Sequence, residues 1–185
     1  MTAVCAGLLL AAGQGIRFGG NKLLHPLDDG TPMVLASARP LRAVLTGTLA
    51  VVGDADGEVA RLLAQEDIKI LVNPQAREGV GTSIACGVAA SRHADGWVIA
   101  LGDMPWIPQA VVQAVAGRLA HGADIVAPVY HGQRGHPVGF SARHADALMC
   151  LRADEGARGI IDAHLDSLEL IEVHERGVLV DVDFR

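Results

Sequence analysis

Leu8-Leu9-Leu10-Ala11-Ala12-Gly13-Gln14-Gly15-Ile16-Arg17-Phe18-Gly19-Gly20-Asn21-Lys22 is an apolar run that breaks into glycines carrying one arginine and one lysine. Glycines let backbone N–H groups approach anionic oxygens, and two cations neutralise what the amides cannot. The apolar part reads as a strand, and α/β sheets bind ligands where strands end. A dinucleotide fingerprint would need a third glycine where Phe18 stands, although Gly13 and Gly15 fill its first two positions. A P-loop would need Lys directly after the second glycine, then Ser or Thr. Gly15 and Gly20 have the spacing, but Asn21 follows and no hydroxyl comes after Lys22. What remains is a loop with Arg17 and Lys22 around Phe18-Gly19-Gly20, and two cations suit a triphosphate better than the pyrophosphate of NAD.

Beyond this loop, β-rich and helical runs alternate. Strands are expected at Val4–Leu10, Leu49–Val52, Ile68–Val72, Gly96–Leu101 and Asp124–Pro128. Helices are expected at Asp56–Glu66, Thr82–Arg92 and Pro108–Leu119, and another starts at Thr31-Pro32, with Pro40 kinking or splitting it. Near-continuous apolar strands alternating with helices predict an α/β fold with a mostly parallel sheet covered on both faces. His131-Gly132-Gln133-Arg134-Gly135 is turn-rich, so a small β excursion is expected near residues 130–140, with Val138–Phe140 returning as a strand. Two helical stretches follow near Ala142–Cys150 and Gly156–His164, then strand-like runs at Leu168–Val173 and Val178–Val182. With no linker and no repeat, residues 1–185 read as a single domain.

The 185 residues suffice for one substantial core, and a hydrophobic share of 50% argues against disorder. The net charge of −6 has no basic block, which argues against nucleic acid as a partner. Cys5, Cys86 and Cys150 are scattered, with neither a disulfide framework nor a CxxC metal site. Met1–Ala12 lacks the positive region of a signal peptide, and no apolar run is long enough for a membrane span. A cytoplasmic protein without a membrane partner is expected.

A second constellation is Ala100-Leu101-Gly102-Asp103-Met104-Pro105. Alone, Asp103 reads as the cap of the following helix. Paired with the first loop, it reads as a carboxylate at a strand end, placed to hold Mg²⁺ against phosphates.

The set Leu10-Ala11-Ala12-Gly13-x-Gly15-x-Arg17-Phe18-Gly19 with Lys22, then Leu101-Gly102-Asp103-Met104-Pro105, then Gly135-His136-Pro137-Val138, closely resembles the molybdenum cofactor nucleotidyltransferases. The resemblance implies a Rossmann-like three-layer α/β/α fold and a soluble nucleotidyltransferase. Leu-Ala-Ala-Gly at Leu10–Gly13, and Gly81-Thr82-Ser83-Ile84 before an Ala-rich helix, resemble the cytidylyl branch rather than the guanylyl one. A physical reason is at hand, since Ala12 in place of glycine narrows the space beside the base and suits a pyrimidine.

The implied reaction joins CTP and molybdenum-bound molybdopterin into molybdopterin cytosine dinucleotide and pyrophosphate, with Mg²⁺ as the cofactor and a molybdoenzyme apoprotein as recipient. By the same resemblance, Arg17 holds the β/γ-phosphates, Lys22 bridges toward the α-phosphate, and Asp103 binds the metal. Leu10, Ala11, Ala12, Gly13, Gly15, Thr82, Ser83 and Gly102 line the nucleotide site, and Gly135, His136 and Pro137 face the acceptor. Asp183 stands either as a second metal ligand or as a solvated terminal acid. His136 either hydrogen-bonds a pterin edge or packs beside Pro137. The competing readings are a guanylyl or other nucleotidyltransferase with another phosphorylated acceptor, and a non-catalytic maturation chaperone that holds the cofactor.

Overall fold

The computed structural model of the chain describes residues 4–13 and 21–182. The leading apolar run forms β1 (Cys5–Leu10) at the centre of a sheet. It pairs in parallel with β2 (Gly47–Val52) on one side and β4 (Gly96–Leu101) on the other, and β2 pairs in parallel with β3 (Lys69–Val72). β5 (Ile125–Tyr130) turns through His131 and Gly132, both at positive φ, into the short β6 (Gln133–Arg134). β7 (Val138–Ser141) then inserts antiparallel between β4 and β5, and β8 (Leu168–Glu172) adds to β5 in parallel. The result is an eight-stranded, mostly parallel sheet with the expected β excursion at residues 130–140.

Side chains alternate across the strands and so sort into two apolar layers. Leu9, Ala50, Val98, Ala100 and Val126 pack under α1 (Met33–Val44), α2 (Glu58–Gln65) and α4 (Gln109–Ala120). Leu8, Leu49, Trp97, Ile99 and Ile125 face α3 (Val80–Ala90), α5 (Ala145–Met149) and α6 (Arg158–Ala163). The fully buried Trp97 donates its indole N–H to Ser91 Oγ at 2.9 Å, and Ser91 donates to Gly87 O, so the large ring leaves no unsatisfied donor. This is the three-layer α/β/α architecture expected from the alternation.

Local details differ from expectation. Pro40 neither splits nor ends α1, which runs unbroken over Met33–Val44. Proline removes one N–H donor, but the buried face of Val34, Ala38 and Leu41 holds the turn together. The cap of α1 is Pro32 rather than Thr31. α3 begins at Val80, so Gly81 lies inside the helix instead of ahead of it. Val178–Val182 forms no strand; Arg176–Leu179 is a short 3-10 helix. Its backbone bonds elsewhere: His136 N donates to Val178 O at 2.9 Å, and Val182 N donates to Asp103 O at 3.0 Å. This late segment is a strap across the ends of the sheet.

Candidate active site

β1 and β4 are neighbours in register, with Leu10 opposite Leu101, so the loops that follow them leave the sheet side by side. Gly102 N donates to Leu10 O at 3.0 Å, and Ser37 Oγ donates to Gly102 O at 2.9 Å, fixing the turn that carries Asp103. Across from it, Asn21 accepts a hydrogen bond from Leu23 N and starts a 3-10 turn over Lys22–Leu24. Leu23, buried in the core, anchors that turn. Lys22 Nζ thereby reaches Asp103 Oδ2 at 3.0 Å, with both side chains mostly buried. The cation and the acid that stand 81 positions apart in the chain meet at one point.

They meet in a cleft of about 700 Å³. Of the residues singled out from the sequence, Leu10, Ala12, Gly13, Lys22, Ser83 and Asp103 line it. Ala11, Thr82 and Gly102 are buried and do not. Ala11 N completes the sheet by donating to Val51 O, and the Thr82 hydroxyl serves the turn before α3, bonding the carbonyls of Gln75 and Gly79. Gly15, Arg17 and Asp183 lie outside the described residues. Gly135, His136 and Pro137 are absent from the lining; they link β6 to β7, and the strap joins His136 to Asp103.

The lining also contains residues that no motif reading had named as ligands: Arg77 and Asp154. Asn73, the residue after β3, organises this side. Its amide donates to Thr82 Oγ1 at 2.9 Å and to Ser83 Oγ at 3.0 Å, while its Oδ1 accepts from Gln75 N. In the sequence Asn73 stands before Pro74, a pair that marks the end of a strand and carries no sign of a ligand. Asp154 left no local signal, because it reaches the cleft through a loop packed on α3 more than 70 positions earlier.

Gly135 approaches the strap so closely that a Cβ there would overlap Val178 O, which explains the glycine. The next peptide bond, His136-Pro137, is cis. His136 Nδ1 is buried without a hydrogen-bond partner among the described residues. Burial pushes this imidazole below its usual range and Arg134 adds to the effect, outweighing the upward pull of Asp103 and Asp181. Burial thus favours the neutral ring, and Nδ1 has no hydrogen-bond partner among the described residues.

No group of three or more His, Cys, Asp or Glu is arranged to hold a metal among the described residues. Asp103 suits a different arrangement, since Mg²⁺ is commonly held by one or two carboxylates together with substrate phosphates and waters.

Residues 7–168 match the family model of the MobA-like NTP transferase domain. The chain is 30% identical over 187 residues to the purine catabolism protein PucB of Bacillus subtilis (strain 168), covering 96% of this chain and 90% of that protein. It is 29% identical over 141 residues to the bifunctional protein GlmU of Bartonella quintana (strain Toulouse), covering 74% of this chain but only 31% of that longer protein. Among solved structures, Rv0371c from Mycobacterium tuberculosis H37Rv superposes with a TM-score of 0.80 at 23% identity, over 94% of this chain and 89% of that one. A manganese complex of the same protein superposes at 0.76 and 22% identity, over 92% and 88%. At these identities the structural likeness speaks to the fold.

Proposed function

We propose that this chain, which belongs to the family of MobA-like NTP transferase domains, transfers CMP from CTP to a molybdopterin-type acceptor. Nucleotidyl transfer follows from the family. The base and the acceptor are the finer reading, and it rests on the residues of the cleft. The observation that carries it is the joining, in one cleft, of Gly13, Lys22 and Asp103 with Ala12 and Ser83, the two features of the cytidylyl pattern.

In this reading a terminal phosphate oxygen of the acceptor attacks the α-phosphorus of CTP. A new P–O bond forms, the bond to the bridging oxygen of the β-phosphate breaks, and pyrophosphate leaves. The protein contributes position and charge. Lys22 stabilises the negative charge that grows at the α-phosphate; when substrate enters, its ammonium exchanges part of its pairing with Asp103 for phosphate oxygens. Asp103 and the substrate phosphates would hold a divalent cation, which supplies charge neutralisation when bound. Gly13 permits close backbone approach, and Arg17 supplies the second cation. Ala12 and Ser83 shape the base end. His136, held neutral by its burial, stands on the segment that the family resemblance assigns to the acceptor.

The test is pyrophosphate release with Mg²⁺, each of the four nucleoside triphosphates, and molybdopterin as the acceptor. Turnover with CTP well above GTP is expected. Turnover with GTP alone would overturn the choice of base. Turnover only with other phosphorylated acceptors would overturn the choice of acceptor.

A further inference from the structure

The loop after α5 is built to hold one acidic residue against the cleft. Ala153 sits at positive φ, Glu155 N donates to Arg152 O at 3.0 Å, and Arg152 N donates to Glu155 Oε2 at 3.1 Å. The Arg152 guanidinium bonds the carbonyls of Met149 and Leu151. This closed loop is seated on the start of α3, where Gly81 N donates to Ala153 O at 2.9 Å. Both glycines there are needed for the fit. A Cβ on Gly81 would come within 2.7 Å of the carbonyl oxygens of Arg152 and Glu155, and one on Gly79 (φ 129°) would overlap Ala153 and Asp154 Oδ1. The seating leaves Asp154 in the cleft wall together with Ser83.

The two sides of the cleft come from opposite layers of the fold. Leu23, beside Lys22, packs in the layer of α1, α2 and α4, whereas Val80, Ile84 and Leu151 pack in the layer of α3 and α5. Lys22 lies on the first side, and the proposed triphosphate is placed with it. Arg77, two residues before Gly79, and Asp154 line the cleft with Ser83, which the cytidylyl reading puts at the base. The Asp154 carboxylate has no hydrogen-bond or ion-pair partner among the described residues, and α3 has no side-chain cap, so no local bond accounts for it. Ser83 accepts from Asn73 and has no acceptor for its own proton among the described residues. The lining therefore offers a hydroxyl donor and an acceptor-only carboxylate, with the Arg77 guanidinium as a further donor.

We infer that Asp154 reads the base: its carboxylate accepts a hydrogen bond from the exocyclic amino group of cytosine and rejects the carbonyl oxygen that uracil presents at the same place. Ser83 donates to an acceptor on the cytosine ring. This rests on the cytidylyl reading above and adds its specificity residue. Asp154 is exposed at the cleft wall, and a carboxylate that faces a carbonyl oxygen there is unfavourable, since charge meets partial charge and neither has a proton.

The test is direct binding of CTP, UTP and GTP with Mg²⁺, by calorimetry, to the wild type, Asp154→Asn and Asp154→Ala. The wild type is expected to favour CTP over UTP by about tenfold or more. Asp154→Asn can turn its amide to donate to uracil and should bring the two affinities close together; Asp154→Ala should weaken CTP and tighten UTP, because the repulsion of uracil's carbonyl oxygen goes with the carboxylate. If both variants keep the wild-type CTP-to-UTP ratio, or if only the melting temperature moves, the inference is overturned and Asp154 merely supports the start of α3. A wild type that binds GTP more tightly than CTP would overturn the cytidylyl reading instead, and the CTP-to-UTP ratios still decide the role of Asp154.

Discussion

Lys22 shows how much a single side chain carries in this site. It is mostly buried, paired with Asp103 at 3.0 Å, and it lines the cleft. In the proposed reaction Lys22 stabilises the transferring phosphoryl group, so in Lys22→Ala turnover should fall about a hundredfold or more, with an unchanged circular dichroism spectrum. Near-normal pyrophosphate release in that variant would remove Lys22 from the mechanism. Ala12 is a subtler case. It is buried and also lines the cleft, so Ala12→Gly should open the base end and raise GTP turnover relative to CTP in a competition assay. An unchanged ratio would mean that Ala12 does not sense the base. Both residues were legible in the sequence, because glycines, cations and a strand end coincide within fifteen positions. Asp154 was not, because nothing near it in the chain marks it; its meaning comes from Gly79 and Gly81, on which its loop is seated.

At the scale of elements, the strap at Arg176–Val182 matters more than its length suggests. It bonds His136 on one side and Asp103 on the other, and so ties the segment before β7 to the loop after β4. Gly135→Ala would drive a methyl group into Val178 O. It should cost about 1–3 kcal/mol, measured by urea unfolding, and disturb activity as well, because His136 moves with the backbone. A fully stable variant would show that the strap yields freely. The strap was read from the sequence as a strand because Val178, Val180 and Val182 alternate. That period marks apolar side chains facing inward, and Val178 is indeed buried, but alternation does not choose between a ladder and a bridging turn. In α1, Pro40 poses the opposite problem: a residue that breaks isolated helices is tolerated where the surrounding layer is already packed. Pro40→Ala restores one backbone donor and should raise the melting temperature. A lower melting temperature would show that the proline stabilises chiefly by restricting the unfolded chain.

Across the whole molecule, one acidic group links parts of the fold that lie far apart in the chain. Asp124, just before β5, accepts a hydrogen bond from Ser141 at the end of β7 and lies 3.2 Å from His144 Nε2. Burial raises its pKa, but the Ser141 hydroxyl and the nearby charges of His144 and Arg143 bring it below the ordinary value of 3.8. A carboxylate whose folded pKa is depressed contributes stability above its unfolded pKa and loses it as pH falls through the folded value. Asp124→Ala should therefore be less stable than the wild type at neutral pH, by about 1–3 kcal/mol, and the gap should close below about pH 4. Unfolding curves that stay equally separated down to pH 2 would assign the loss to packing instead. The sequence by itself determined the three-layer α/β scaffold and singled out Ala12, Gly13 and Lys22 as residues of the cleft, because strand alternation and a glycine-rich run with cations are local patterns with local causes. Only the tertiary structure decided which distant groups face one another: Lys22 with Asp103, Asn73 with Ser83, the strap with His136, and Asp154 with α3. Those pairings depend on how two layers close over the ends of the strands, and no periodicity within a single segment encodes that.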